Sequence, residues 1–262
     1  MRKHEMSLDL EETVYFRNHL RIGRAEALSD AEGSHAILYA IERLGLRCSG
    51  KVGTLNGYRA SLQTLAEGSA LATEIPQRCP EWHIPFEVLY EEVKIARNEA
   101  LHQGSYARVL TSHAIQLALI LEDALMKDAK KVGHFMVRNP VTAEAWQPVS
   151  FVRQQMLAYS FSYLPLFIES GGSQAWHLVS DVVIAKFLRS GELKGQSRNH
   201  RLATELSKAI SAGGLELKKV APLRQEDPVA KALDSMSDGA VLVVDGKEPS
   251  RLVGILTAYD LL

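Results

Sequence analysis

Two stretches in the second half of this chain repeat one another in register, and a duplication narrows the available folds more than any single motif does. Pro148-Val149 opens one stretch and Pro228-Val229 the other, and Met156 and Met236 each stand eight residues past the proline. The apolar runs LPLF (164–167) and VLVV (241–244) follow, out of step by three residues, which one shorter loop absorbs. From Phe167 to Ser180 and from Val244 to Thr257 the spacing is again equal, at thirteen. Each unit reads helix, strand, turn, strand, helix. Between the units, residues 190–214 hold a predicted extra helix at about 199–210, stopped by Gly213-Gly214.

Upstream of about Lys130 the texture is helical, with apolar residues recurring at threes and fours in HAILYAIERLGL, GYRASLQTLAEGSALATEI, PFEVLYEEVKIARNEAL and YARVLTSHAIQLALILEDALM. In the last of these, Val109, Leu110, Ile115, Leu117, Leu119, Ile120, Leu121, Leu125 and Met126 nearly encircle the axis, which predicts a central helix in a bundle of four or five. Residues 77–85, with Pro80 and Pro85, read as a loop. The expected class is α+β: a helical bundle over 1–127, a first α/β repeat over 128–190, a connecting segment over 191–214 and a second repeat over 215–262.

Charge and cysteine usage exclude several function classes. Thirty Lys+Arg against 31 Asp+Glu leave a net charge of −1, so no chain-wide positive field holds nucleic acid, and any phosphate contact must be local. Cys48 and Cys79 are too few for a secreted disulfide scaffold and lack zinc-knuckle spacing, so no metal site is expected; Cys79 with His83 is half of one. The N-terminus places acidic residues where a signal peptide needs an apolar core, and no uninterrupted apolar run reaches about 18 residues. A cytoplasmic chain without a membrane partner is expected.

The second repeat ends G-I-L-T-A-Y-D (254–260), and together with NPVT (139–142), the SYLPLF strand and DPVAKAL (227–233) it resembles a tandem pair of CBS domains over 131–262. A strand that delivers Thr257 to a helix start offers a hydroxyl and backbone N–H groups to an anion. Asp260, three residues on, is placed to accept from vicinal ribose hydroxyls, and Gly254 lets the strand approach its neighbours. The resemblance implies an adenosine-containing regulatory ligand, an adenine nucleotide or S-adenosylmethionine, held at Gly254, Thr257 and Asp260. The alternative reading of the same residues is a Thr N-cap with an Asp in the first turn. In the first repeat Ser180 takes the place of Thr257, but Val183 stands where Asp is needed and Trp176-His177 replaces small residues.

The helical half carries IARNEALHQG (95–104), which resembles the HEPN domains, helical bundles of which many are metal-independent endoribonucleases. Their mark is an Arg, an adjacent polar residue and a His after four to six intervening residues, matched here by Arg97, Asn98 and His102. Arg78 with His83 and Arg108 with His113 share the spacing, but only Arg97 has a polar neighbour near a predicted helix end. Five steps on a continuous helix separate two side chains by about 140°, so the site requires the break that Gly104-Ser105 supplies. His102 would move protons and Arg97 would stabilise phosphate charge during attack of an RNA 2′-hydroxyl on its own phosphate. The family's habit of building one site from two chains implies a homodimer or higher homo-oligomer with RNA as substrate and no catalytic cofactor. The other open reading is an exposed Arg97 paired with Glu92 or Glu99 in a bundle that only binds a partner.

Arg17, His19, Arg21 and Arg24 form a candidate basic strip at helical spacing, and Trp82, Trp146 and Trp176 are expected in the core or at an interface. No Ser-His-Asp arrangement, phosphate-cradling glycine loop or HExxH motif is present. The sequence thus points to a nucleotide-regulated endoribonuclease, with a non-catalytic nucleotide-sensing regulator of a protein or RNA partner as the alternative.

Overall fold

A computed structural model describes residues 8–30, 34–100, 106–170, 173–189, 196–212, 214–236 and 239–262. The chain divides into two compact units, Met1–Ala129 and Lys130–Leu262, the first helical and the second mixed α/β.

The helical unit runs α1 (Leu10–Ser29), α2 (Ser34–Ser49), α3 (Leu55–Ala66), α4 (Glu74–Arg78), α5 (Phe86–Ala100) and α6 (Tyr106–Met126). Asp9 starts α1 through a capping box: its Oδ1 accepts from Glu12 N at 2.8 Å, and its own N–H donates to Glu12 Oε2 at 3.1 Å. Helix α6 is the central one. Leu110, Ala114, Leu117, Ala118 and Leu121 are buried against Leu20, Ile37, Ile41 and Leu44 from α1 and α2, and Leu62, Phe86, Leu89 and Tyr90 complete the core. The encirclement is incomplete, since Val109 and Leu119 are exposed. By length and composition the stretch Arg108–Met126 is apolar enough to cross a membrane; more than half of it is buried in the unit's core.

The stretch expected as one helix over GYRASLQTLAEGSALATEI is broken. Helix α3 stops at Ala66, and the next turn is tied to α6 by Ser69 Oγ, which donates to Asp123 Oδ2 at 2.5 Å and accepts from Leu71 N at 3.0 Å. A local side-chain bond here outcompetes continuation of the helix.

The second unit runs α7 (Val132–Phe135), β1 (Val137–Arg138), α8 (Val149–Tyr159), β2 (Tyr163–Ser170), β3 (Ser173–Ser180), α9 (Asp181–Arg189), α10 (Arg198–Ala203), α11 (Leu206–Ser211), β4 (Lys218–Lys219), β5 (Leu223–Arg224), α12 (Val229–Ser235), β6 (Ala240–Val244), β7 (Leu252–Thr257) and a 3₁₀ turn, Ala258–Leu261. Among the described residues the strands form two sheets, ordered β1-β7-β6-β5 and β2-β3-β4. The repeat is visible in the register: Tyr163 faces Ser180 across one hairpin as Ala240 faces Thr257 across the other.

The repeats exchange their first elements. Strand β1, which precedes the first repeat's helix, pairs with β7 of the second, while β4 pairs with β3 of the first. Val132 N and Gly133 N of α7 donate to Asp227 O and Gln225 O, and Leu206 N and Ser207 N of α11 donate to Gln147 O and Ala145 O in the same pattern. Accordingly Val132 and Met136 lie in the core with Leu223, Ala232, Val241, Val243 and Leu256, whereas Leu206 and Ala209 lie with Val149, Val152, Leu164 and Val179. The single helix expected at about 199–210 is therefore two, α10 and α11, parted at Thr204-Glu205 because α11 is the counterpart of α7. Strand β6 is buried on both faces: Val241 and Val243 point into the repeat core, and Ala240, Leu242 and Val244 pack with Trp176 and Leu178 of the other sheet.

Candidate functional site: a cleft between the exchanged strand and the second repeat

Strand β7 ends at Thr257, and Asp260 folds back onto it. Thr257 N donates to Asp260 Oδ2 at 2.8 Å and Thr257 Oγ1 donates to the same oxygen at 2.9 Å, a reciprocal cap that holds Asp260 at 7% exposure. The capping arrangement, one of the two readings of these residues, is thus present. Both residues also line a cleft of about 590 Å³.

The remaining walls come from three places. The exchanged strand and its continuation contribute Val137, Asn139, Pro140 and Val141; the end of α8 and the start of β2 contribute residues 160–164; Gly239, Ile255, Ala258 and Tyr259 close the rest. Three of these residues hold the left-handed backbone region: Asn139 (φ 50°), Ser160 (φ 56°) and Gly239 (φ 94°). Among the described residues Asn139 and Ser160 are the non-glycine residues with positive φ, and both are in this cleft. Such positions are held against their preference by surrounding structure and concentrate at ligand sites. Ser160 earns its conformation as the C-cap of α8, with Phe161 N donating to Met156 O at 2.9 Å.

Gly254 does not line the cleft. A side chain there would overlap Met136, so this glycine serves the close packing of β7 against the exchanged segment. Ser180 is also elsewhere: its Oγ accepts from Val183 N at 3.2 Å at the start of α9, and Val183 packs against the first repeat's core. Trp176 donates Nε1–H to Pro249 O at 3.1 Å and tilts against Phe167 with ring centroids 4.9 Å apart. Sequence reasoning passed over Ser160, Phe161, Tyr163, Gly239 and Tyr259. Only Gly239, following an acidic residue in a turn-like stretch, carried a local signal.

In the helical unit Arg97 Nη2 lies 3.0 Å from Glu42 Oε1 of α2, while Glu92, one of the two partners expected on its own helix, lies beside His113; the side chain of the other, Glu99, is outside the described residues. The side chain of Asn98 and the whole of His102 lie outside the described residues, as does the Gly104-Ser105 break. His113 Nδ1 is 2.9 Å from Glu92 Oε2, an ion-pair distance without hydrogen-bond alignment. The proposed basic strip is not a free face. Arg17 is buried and donates to Asn18 Oδ1, while Arg21 and Arg24 converge on Glu122, with Arg24 Nε 2.7 Å from Oε1. These charges tie α1 to α6.

Trp176 is buried as expected of a core residue, but Trp82 and Trp146 are exposed. Among the described residues no group of three His, Cys, Asp or Glu is placed to hold a metal. Cys79 is exposed; Cys48 is half-buried, and burial pushes its thiol up to about 11.

The family model for the CBS domain matches residues 213–262. This segment is a CBS domain. The match covers the repeat that carries Thr257 and Asp260, the repeat without the Val183, Trp176 and His177 departures. Three solved structures are each similar over half of this chain. MJ1225 from Methanocaldococcus jannaschii is 20% identical with a TM-score of 0.41, over 50% of this chain and 46% of that one. A CBS domain-containing protein from Bacillus anthracis is 18% identical with a TM-score of 0.39, over 50% and 88%. CBSX2, solved in complex with AMP, is 18% identical with a TM-score of 0.37, over 50% and 92%. The chain thus spans less than half the length of MJ1225. No curated protein matches the chain, and none of these comparisons shows an HEPN domain.

Proposed function

We propose that the chain is a ligand-responsive regulator in which the cleft beside Thr257 and Asp260 binds an adenosine-containing molecule and the helical unit engages an RNA or protein partner. The observation that carries this reading is the cleft itself: a CBS domain's Thr257 and Asp260 open into the volume where the left-handed Asn139, Ser160 and Gly239 converge.

Chain connectivity supplies the route for regulation. Helix α6 ends at Met126, and eleven residues later Val137 is already part of the cleft wall. Between them α7 is bonded to the second repeat through Asp227 and Gln225. A ligand that prefers one placement of Val137 to Val141 therefore biases the segment that leads directly from the helical unit. Ribonuclease chemistry takes second place because Glu42 already occupies Arg97, and a carboxylate competes with phosphate for the same guanidinium.

Hydrogen–deuterium exchange on the full chain with and without adenosine tests the reading. Protection is expected at 137–141, 160–164 and 255–260, and protection confined to other segments would overturn it. RNA incubated with the chain in chelator, with or without adenosine, is expected to stay intact. Cleavage abolished by His102→Ala would put the endoribonuclease reading in its place.

A further inference from the structure

We infer that the cleft selects an adenosine ligand whose 5′ substituent carries no net negative charge and discriminates against AMP, ADP and ATP. This rests on the nucleoside reading above and narrows it to a ligand class. No Lys, Arg or His is found among the described residues that line the cleft. The group there that carries formal charge is the carboxylate of Asp260, almost fully buried.

Two of the donors at this strand-to-helix junction are also committed, since Thr257 N and Thr257 Oγ1 both end on Asp260 Oδ2. What remains is neutral: the Asn139 amide, the hydroxyls of Ser160, Ser162, Tyr163 and Tyr259, and an apolar wall that includes Val137, Val141, Phe161 and Ile255. A phosphate entering this space gives up water without meeting a counter-ion and approaches a like charge, whereas a hydroxyl, a thioether or a sulfonium does not. A sulfonium gains from the carboxylate.

Calorimetric titration of the full chain in magnesium-free buffer separates the possibilities, with adenosine and S-adenosylmethionine compared against AMP, ADP and ATP. Adenosine or S-adenosylmethionine is expected to bind at least roughly tenfold more tightly than ATP. Val141→Lys, at an exposed position that lines the cleft, is expected to narrow that gap by raising the affinity of the phosphorylated ligands. ATP binding as tight as adenosine in the native chain, or a gap that Val141→Lys leaves unchanged, would overturn the selectivity while leaving a nucleoside site standing. Failure of all five ligands to bind would instead remove the nucleoside reading on which it rests.

Discussion

The hydroxyl of Tyr163 occupies the space into which a side chain on Gly239 would grow: a Cβ there would lie 2.6 Å from Tyr163 Cζ and closer still to the oxygen. The two residues belong to different repeats and meet at the cleft. Gly239 also has φ 94°, which an L side chain rarely adopts. Gly239→Ala is therefore expected to cost about 1–3 kcal/mol in urea unfolding, from backbone strain plus displacement of Tyr163. An unchanged midpoint would mean that neither constraint is real.

The cap between Thr257 and Asp260 predicts an order of effects. Thr257→Val removes one donor and leaves the backbone bond, for a loss of about 0.5–1 kcal/mol, while Asp260→Ala removes the shared acceptor of both bonds, for about 1–2 kcal/mol. Denaturant melts of the two variants check this. A larger loss for Thr257→Val would contradict the geometry.

Residues whose spacing reflects a repeated core were legible in the sequence. Pro148 and Pro228 stand just ahead of α8 and α12, and the equal spacings from Phe167 to Ser180 and from Val244 to Thr257 each run from the first strand of a hairpin to the end of its second. The exchange of α7 and α11 was not legible, because VGHF and LSKAIS share no pattern and each buries its apolar residues in a neighbour's core rather than its own. The cleft was half legible. Thr257 and Asp260 announce themselves within one motif, whereas Ser160 and Tyr163 become wall residues only when the second repeat folds against them. Arg21 and Arg24 looked like a solvated face because their partner, Glu122, lies about a hundred residues away on another helix. Long-range charge pairing leaves no mark on local periodicity.

The element exchange predicts where a core defect in α7 is felt. Val132 is fully buried in the second repeat's core, although it precedes the first repeat in the chain. Val132→Ala is expected to cost about 2 kcal/mol, by analogy with large-to-small substitutions elsewhere. Native-state hydrogen exchange should then show β6 and β7 losing more protection than β2 and β3. The opposite distribution would refute the exchanged pairing.

The two cysteines differ in reactivity by environment. Burial holds the Cys48 thiol up at about 11, so at pH 8 almost none of it is thiolate, and the thiolate is the nucleophile. Cys79 is exposed. Iodoacetamide at pH 8 should label Cys79 in the folded chain and reach Cys48 only on unfolding or as the pH nears its raised value. Equal labelling rates read by peptide mass spectrometry would contradict the burial of Cys48.

Ala258 is exposed and lines the cleft without contributing to either repeat's core, so Ala258→Trp fills the cavity at little cost to folding. Isothermal titration of adenosine into the native chain and into this variant, both checked for an unchanged melting temperature without ligand, bears most directly on the proposed sensing role. Saturable binding to the native chain that disappears in Ala258→Trp is the predicted result. Binding of equal strength to both proteins would place the ligand somewhere other than beside Thr257 and Asp260.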